Sequence, residues 1–441
     1  MADNNNFLSV KDIFRSLKYR NYRLFFYGQG ISMIGTWMQR IAMPWLVYRL
    51  TDSAFLLGLV GFAGQFPTFL LAPFAGVLTD RWNRHRILIA TQILAMAQSL
   101  LLAVLYFIGI INVWHIVAMS IFLGLVNAFD MPARQSLVIS MVEKKEDLGN
   151  AIALNSAMVN AARLLGPAIA GALVAVTGEG VCFLINGLSY LLVVWSLMQM
   201  RIAPVKGERK KTHIFRELKE GFDYTFGLAP LKYVIMLLAL VSLMGMPYAV
   251  LMPVFSKEIL HGGSHTFGFL MGASGLGALA GAIYLASRKS VLGLGKIIPL
   301  STIIFGSGLI AFSFCRVVWL SLILMVITGI GMTMQMAASN TILQTIADDD
   351  KRGRVMSFYS MAFMGTAPFG SLLAGWLANV LGVSNTFLAT GAICILGALI
   401  FINKLPELKR AVHPIYVKSG IIPEISQGLQ TAAQLTVPPE D

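Results

Sequence analysis

Twelve apolar runs separated by short polar connections make up most of the chain. They cover residues 22–48, 54–78, 87–108, 113–140, 149–176, 180–200, 231–256, 265–287, 294–314, 318–343, 352–381 and 384–404. A helix crosses the hydrocarbon of a bilayer in about 20 residues, and inside that layer its backbone groups must pair within the segment. Runs of this length and number predict an all-α polytopic membrane protein with twelve transmembrane helices. Several runs exceed the minimum span, which allows tilt without fixing an angle.

Composition agrees: 56% of residues are hydrophobic and 12% charged, against about 25% charged in an ordinary soluble domain. The net charge of +13 would suit a nucleic-acid partner, but the positions of the bases exclude one. With the 79–86 turn assigned to the cytoplasm, 28 of the 34 lysines and arginines fall on its side of the membrane, and Arg49, Lys257 and Arg316 remain opposite. This asymmetry predicts that both termini are cytoplasmic. The three cysteines, Cys182, Cys315 and Cys394, lie in or beside apolar runs with no metal spacing and no disulfide framework. The first residues, MADNNNFLSV, lack the cationic start and short apolar core of a cleavable signal. The first span is therefore expected to direct insertion itself.

Residues 1–21 form an N-terminal cytoplasmic segment, in which 8–20 alternate apolar and basic positions and predict an interfacial helix. Residues 201–230 interrupt the series. After a polar start, Ile214, Phe215, Leu218, Phe222 and Phe226 fall on one helical stripe, opposite Arg216, Lys219, Glu220 and Asp223. That pattern predicts an amphipathic surface helix joining two six-span bundles, 22–200 and 231–404. The bundles repeat one another: Gly124 to Gly178 and Gly329 to Gly382 each pass from a span through a charged loop into a glycine-rich span. Residues 405–441 read as a cytoplasmic tail.

Familiar catalytic motifs are missing. There is no phosphate-binding GxxxxGK[ST] loop, no HExxH, no serine elbow and no cysteine–histidine arrangement. Gly275, Gly277 and Ala280 match a dinucleotide pattern only superficially, inside an uncharged span. Gly268, Gly272, Gly277 and Gly281 instead predict close helix packing. The informative residues are charges within spans, each costing about 2.5–3.5 kcal/mol on insertion scales. Arg40, Asp130 with Arg134, and Arg163 are those residues. Asp130 and Arg134 share a face at i, i+4, and Arg163 lies on the next span. One reading is a fixed ion pair that lets helices insert together; the other is a charge whose pairing changes as a cavity opens and closes. For Arg40, snorkelling to the surface is the alternative to facing that cavity.

The turn GVLTDRWNRHR, Gly76 to Arg86, resembles the G-x-L-a-D-R-x-G-R-R signature between the second and third helices of the major facilitator superfamily. Gly76, Asp80, Arg81 and Arg84 match, and Asn83 stands where the family usually has glycine. LKYRNYRLFFYGQGISMIGTWMQ, MPARQSLV and NAIALNSAMVNAARLLGPAIAG extend the likeness to the bacterial branch that includes the enterobactin exporter. Gly166, Pro167 and Gly171 resemble the fifth-span antiporter signature, with different glycine spacing. The resemblance implies two pseudo-repeated six-helix bundles rocking about a midplane site, with the first, fourth, seventh and tenth spans lining it. Gln29, Trp37, Arg40, Asn127, Tyr248, Gln335 and Asn340 lie on those spans, and Arg163 joins them as a cavity candidate. Asp130 is the proton-coupling candidate. Gly76, Asp80, Arg81, Arg84 and Arg134 form the expected cytoplasmic gate, with Asp80 meeting the start of the eleventh span near Gly353.

The expected function is secondary export of a small amphipathic or siderophore-like molecule across a bacterial inner membrane, by proton-coupled antiport. Its expected partners are a small-molecule or lipid-like substrate and the bilayer. No cofactor, metal or nucleic acid is expected, and the chain should act as a monomer. A lysophospholipid flippase of the same fold is the alternative within transport. A scaffold or receptor is the alternative of another class, and an enzyme is not expected.

Overall fold

Three of the helices begin on a side-chain cap. Ser53 accepts a hydrogen bond from the Leu56 N–H, Asn83 from His85 and Arg86, and Asn112 from Trp114 and His115. The helices that finish at Thr177 and Leu381 end on Gly178 and Gly382, at φ +80° and +83°, where a side chain would be strained. The computed structural model describes residues 14–201, 214–288, 290–418 and 421, with the side chains of 72, 73, 76, 77, 80, 81, 139, 145, 214–218 and 418 outside the description.

The first bundle comprises α1 (Arg20–Thr51), α2 (Ala54–Arg81), α3 (Arg84–Phe107), α4 (Val113–Ser140), α5 (Lys145–Thr177) and α6 (Glu179–Met198). Then come the short α7 (Ile214–Gly227) and the second bundle: α8 (Ala229–Ile259), α9 (Ser264–Ala286), α10 (Leu294–Phe314), α11 (Val318–Ile346), α12 (Arg352–Leu381) and α13 (Val383–Lys418). Eleven of these helices are long and apolar enough to cross a membrane. The twelfth is α1, which has the length at 32 residues but carries Gln29, Ser32 and Gln39, all buried inside the bundle.

Two spans depart from a regular helix, at three places. Val241–Gly245 and Phe255–Ile259 in α8, and Met361–Gly365 in α12, are single π-turns, a widening often found at functional positions. Pro247, Pro253 and Pro368, which lack an N–H to continue the ladder, lie beside them or between them. The two bulges at 241–245 and 361–365 touch: the Ser242 hydroxyl donates to the Phe363 carbonyl.

Two expectations are adjusted. Of the interfacial helix over 8–20, the described part is one 3-10 turn, Arg15–Lys18. It docks on the start of α5: Arg15 and Lys18 pair with Asp147 at 3.1 and 2.6 Å, and the Tyr19 hydroxyl donates to the same carboxylate at 2.6 Å. Hydrogen bonding to Asp147 raises the Lys18 ammonium above its usual range. The last helix does not stop at 404. It continues through Pro406 and Pro414 to Lys418, because Leu408 is buried and Leu405, Val412, Ile415 and Tyr416 pack against the core. The amphipathic α7 packs on α12 through Phe222 and Phe226 against Phe358, and through Glu220 to Arg354 at 3.1 Å.

Among the described residues, the bundles meet toward one side. Where α5 crosses α9, a Cβ on Gly171 would lie 2.7 Å from the Ser264 carbonyl and 2.9 Å from Gly268 Cα. Where α12 crosses α2, a Cβ on Gly375 would lie 2.8 Å from the Ala54 carbonyl and 2.9 Å from Gly58 Cα. Trp45 stacks on Phe267, Lys257 pairs with Asp52 at 2.6 Å, and the Tyr48 hydroxyl bonds to Glu258. All of these lie toward the 52–53 and 260–263 turns, opposite α7. The crossings extend inward to Arg163–Gly275 and Phe69–Gly365. Beyond them Gly149 and Gly353, at the α7 ends of α5 and α12, meet nothing within 4 Å. The interior opens toward the α7 side.

Small residues also set the spacing within each half. Gly268 and Gly272 of α9 face α5 across the halves, whereas Gly277 and Gly281 face Val326 and Ile330 of α11. Gly124 of α4 abuts the Gly64 carbonyl of α2, and Gly329 of α11 abuts the Ser274 carbonyl of α9, so the first residues of the sequence repeat share one packing role.

Candidate functional site

The charged residues within spans gather in the first bundle. Asp130 on α4 is 5% exposed, and its neighbours all donate to it. The Thr91 hydroxyl and the Gln92 amide of α3 reach Oδ1 at 2.9 and 2.6 Å, and Arg134 holds Oδ2 through Nε at 3.0 Å and through Nη2. The i, i+4 spacing on α4 produces the ion pair, and the start of α3 supplies the rest. Asp130 therefore pairs with Arg134, and its remaining hydrogen bonds go to α3 rather than to Arg163. Arg134, expected at the gate beside Asp80, is directed to Asp130.

Arg40 is exposed although it sits among helices. Its guanidinium lies 4.8 Å from the Trp37 ring centroid, a cation–π contact, and Arg163 and Arg134 are the cations near it. The last turn of α1, nearer the far surface, carries a separate ion pair, Arg49 with Glu179 at 2.8 and 2.9 Å. Trp37 is fixed in turn by α5, where a Cβ on Gly166 would lie 2.5 Å from Trp37 Cβ. The Gly166-Pro167 pair thus seats α1 on α5, and Gly171 seats α5 on the other half. Arg163 is half-buried on α5 and, among the described residues, has no ion-pair partner, as is also true of Arg40.

The remaining cavity candidates divide. Gln29 is buried with its Oε1 unpaired, and Asn127 is half-buried on α4 near Asp130. In the second bundle Gln335 is fully buried with Oε1 unpaired, and Asn340 is half-buried and accepts from Gln344. Tyr248 is not a lining residue here. It is 4% exposed, hydrogen-bonded to Ser274 at 2.7 Å and set edge-on to Phe305, so it packs α8 on α9 and α10. Of the gate residues, the side chains of Gly76, Asp80 and Arg81 lie outside the described residues, and Arg84 begins α3.

Two arrangements carry no motif in the sequence. Gln39 joins α1 to α3 and α6: its Oε1 accepts from Ser99 at 2.6 Å and from Asn186 at 2.8 Å, and its Nε2 donates to Gln98 at 3.1 Å. Such polar contacts hold helices together in lipid. The other is the far-side group Tyr48, Asp52, Lys257 and Glu258, which links the halves. A recess of about 590 Å³ on the α7 side, lined by Thr341, Gln344, Thr345, Asp349, Arg352 and Ile421, lies at the mouth and away from the charge cluster.

Comparison with known proteins fits this geometry. The staphyloferrin A transporter of Staphylococcus aureus is 28% identical over 88% of this chain and 97% of its own length. Macrolide efflux protein A of Streptococcus pyogenes is 24% identical over 89% of this chain and 99% of its own. Among solved structures, a bacterial homologue of the lysosomal transporter Spinster, inward-facing and unoccupied, superposes with a TM-score of 0.68 at 12% identity over 89% of this chain and 98% of that one. A bacterial homologue of the iron transporter ferroportin, inward-facing, gives 0.67 at 17% identity over 88% and 98%. The transmembrane secretion effector model matches residues 13–420, and with that span, the two bundles and the relatives together, the chain belongs to the transmembrane secretion effector family of major facilitator transporters.

Proposed function

We propose that the protein exports a small amphipathic or siderophore-like molecule across the bacterial inner membrane by alternating access, with proton antiport as the energy source. One observation carries the reading: the halves close around glycine crossings on the far side and open on the α7 side, with Arg40, Asp130, Arg134 and Arg163 gathered in the interior. The basic excess on the α7 side supports a cytoplasmic face there, and on that reading the open cavity faces the source of an exported molecule. The relatives named for efflux and for a siderophore support the class of cargo.

Asp130 is the proposed proton carrier. To load a proton it must lose the Arg134 pair and the α3 donors, so coupling requires α3 and α4 to shift between states. In proteoliposomes, wild-type protein should move cargo against its gradient when a pH gradient is imposed. Asp130→Asn should retain exchange but lose uphill movement. If Asp130→Asn still accumulates cargo and responds to pH as wild type does, Asp130 is a structural ion-pair partner. Movement of a labelled lysolipid in place of soluble cargo would make the protein a flippase.

A further inference from the structure

We infer that Arg40 and Arg163 are the recognition groups for an anionic cargo, and that one molecule bearing two or more carboxylates bridges them. The inference deepens the export reading and rests on it. Among the described residues, three guanidinium groups meet the interior of the first bundle, and one carboxylate accompanies them. That carboxylate, Asp130, is occupied by Arg134, Thr91 and Gln92. Arg40 and Arg163 are left without an acid among the described residues. The second bundle offers neutral polar groups there, Gln335 and Asn340, and no acidic side chain among the described residues of α11. The site is therefore two positive charges in excess, before cargo arrives.

Geometry limits what can satisfy them. The α1–α5 contacts put Gly30 beside Met158 and Trp37 beside Gly166. In that register the Arg40 Cα stands about 8 Å further along the helix axis than the Arg163 Cα, at about 1.5 Å per residue. One carboxylate cannot be bidentate to both. Two carboxylates on one small skeleton can, each taking a planar guanidinium fork. Trp37, whose ring holds Arg40 in place, also offers an apolar face beside the charge. A cationic molecule would meet two like charges and no free acid. The basic excess on the open side would draw anions toward the mouth.

Calorimetric titration of the purified, detergent-solubilised protein tests this with three probes: citrate, its neutral triethyl ester and tetraphenylphosphonium. Citrate should bind, weaken with added salt, and exceed the ester by about tenfold or more. Arg40→Gln and Arg163→Gln should each weaken citrate by about tenfold to a hundredfold, the range for a charged hydrogen bond lost. Arg316→Gln, on the far surface, should leave it unchanged. If Arg163→Gln does not yield monodisperse protein, Arg163→Lys with Arg40→Gln replaces it, and the pair should still weaken citrate. Absence of citrate binding, equal binding of citrate and its ester, or citrate binding unchanged in the arginine variants overturns the inference. Proteoliposomes that expel tetraphenylphosphonium while citrate fails to bind would sink this inference and leave export standing. Citrate binding without vectorial movement of any cargo would do the reverse.

Discussion

Gly171 and Gly375 occupy equivalent places in the two halves, each pressed against a glycine of the opposite half. Gly171 meets Gly268 and the Ser264 carbonyl, and Gly375 meets Gly58 and the Ala54 carbonyl, at matching distances. Both precede a left-handed glycine, Gly178 or Gly382, by seven residues. The two crossings are close contacts between the halves, related by the internal repeat.

Gly171→Ala and Gly58→Ala should disfavour the state closed on the far side, because the new methyl meets backbone that cannot swing away. Overpacking of this kind costs about 1–3 kcal/mol, so the closed population should fall about fivefold to a hundredfold. Cross-linking of an Asp52→Cys, Lys257→Cys pair reads that population. Gly149→Ala, where nothing lies within 4 Å, should leave it unchanged.

Asp130 and Arg134 should couple strongly in stability. Removing one partner of a buried pair costs about 3–5 kcal/mol, much of it from the charge left behind; Arg134 is 23% exposed, which places the loss toward the lower end. Thermal unfolding should show Asp130→Asn with Arg134→Gln less destabilised than the two single losses added. Simple additivity would show that the pair contributes nothing as a pair.

The far-side pair Lys257–Asp52 should matter little alone. Asp52 is 70% exposed, and exposed pairs contribute about 0.2–1 kcal/mol. Lys257→Gln should shift the far-side population by about fivefold at most, measured by spin-label distances between the halves. Adding Tyr48→Phe, which removes the bond to Glu258, should produce the larger shift.

Asp147→Asn should release the N-terminal turn from α5 and raise protease access at Arg15 and Lys18, without loss of the bundles. The Lys18 side of this contact has a defined pH window. Its folded-state pKa is raised, so its contribution is complete below the unfolded value near 10.5 and is lost only as pH rises through the folded value. Protease access that changes between pH 6 and 9 in wild type would contradict this.

Membrane sidedness is checked by cysteine labelling. Lys210→Cys and Ile110→Cys should react from opposite sides, the first from the cytoplasm. Reaction of both from one side would refute the assigned orientation.

The helices were legible because the bilayer demands long apolar runs, and the repeat was legible because Gly124 and Gly329 face the same steric need. Asp130 and Arg134 share a face by spacing alone, so their pairing could be read. The preference of Asp130 for Thr91 and Gln92 over Arg163 could not, because it depends on how α3 rotates against α4. Tyr248 lies on a span expected to line the cavity, yet its hydroxyl finds Ser274 and turns it into the packing. The π-turns left only Pro247, Pro253 and Pro368 as a trace, since proline marks a weak point in a helix without stating how it is resolved. The link between Tyr48 and Glu258 joins residues 210 positions apart and had no sequence signal.

The polar character of α1 has a consequence for biogenesis. Among the twelve helices it leaves the ribosome first, yet it is the one least suited to partition from the translocon into lipid. Its glutamine at 39 waits for Gln98, Ser99 and Asn186, which are synthesised later. Integration of the first bundle is thereby made cooperative: α1 gains a settled place only once α3 and α6 exist to receive it, and a chain arrested before residue 186 presents unmet amides to the membrane's quality-control proteases.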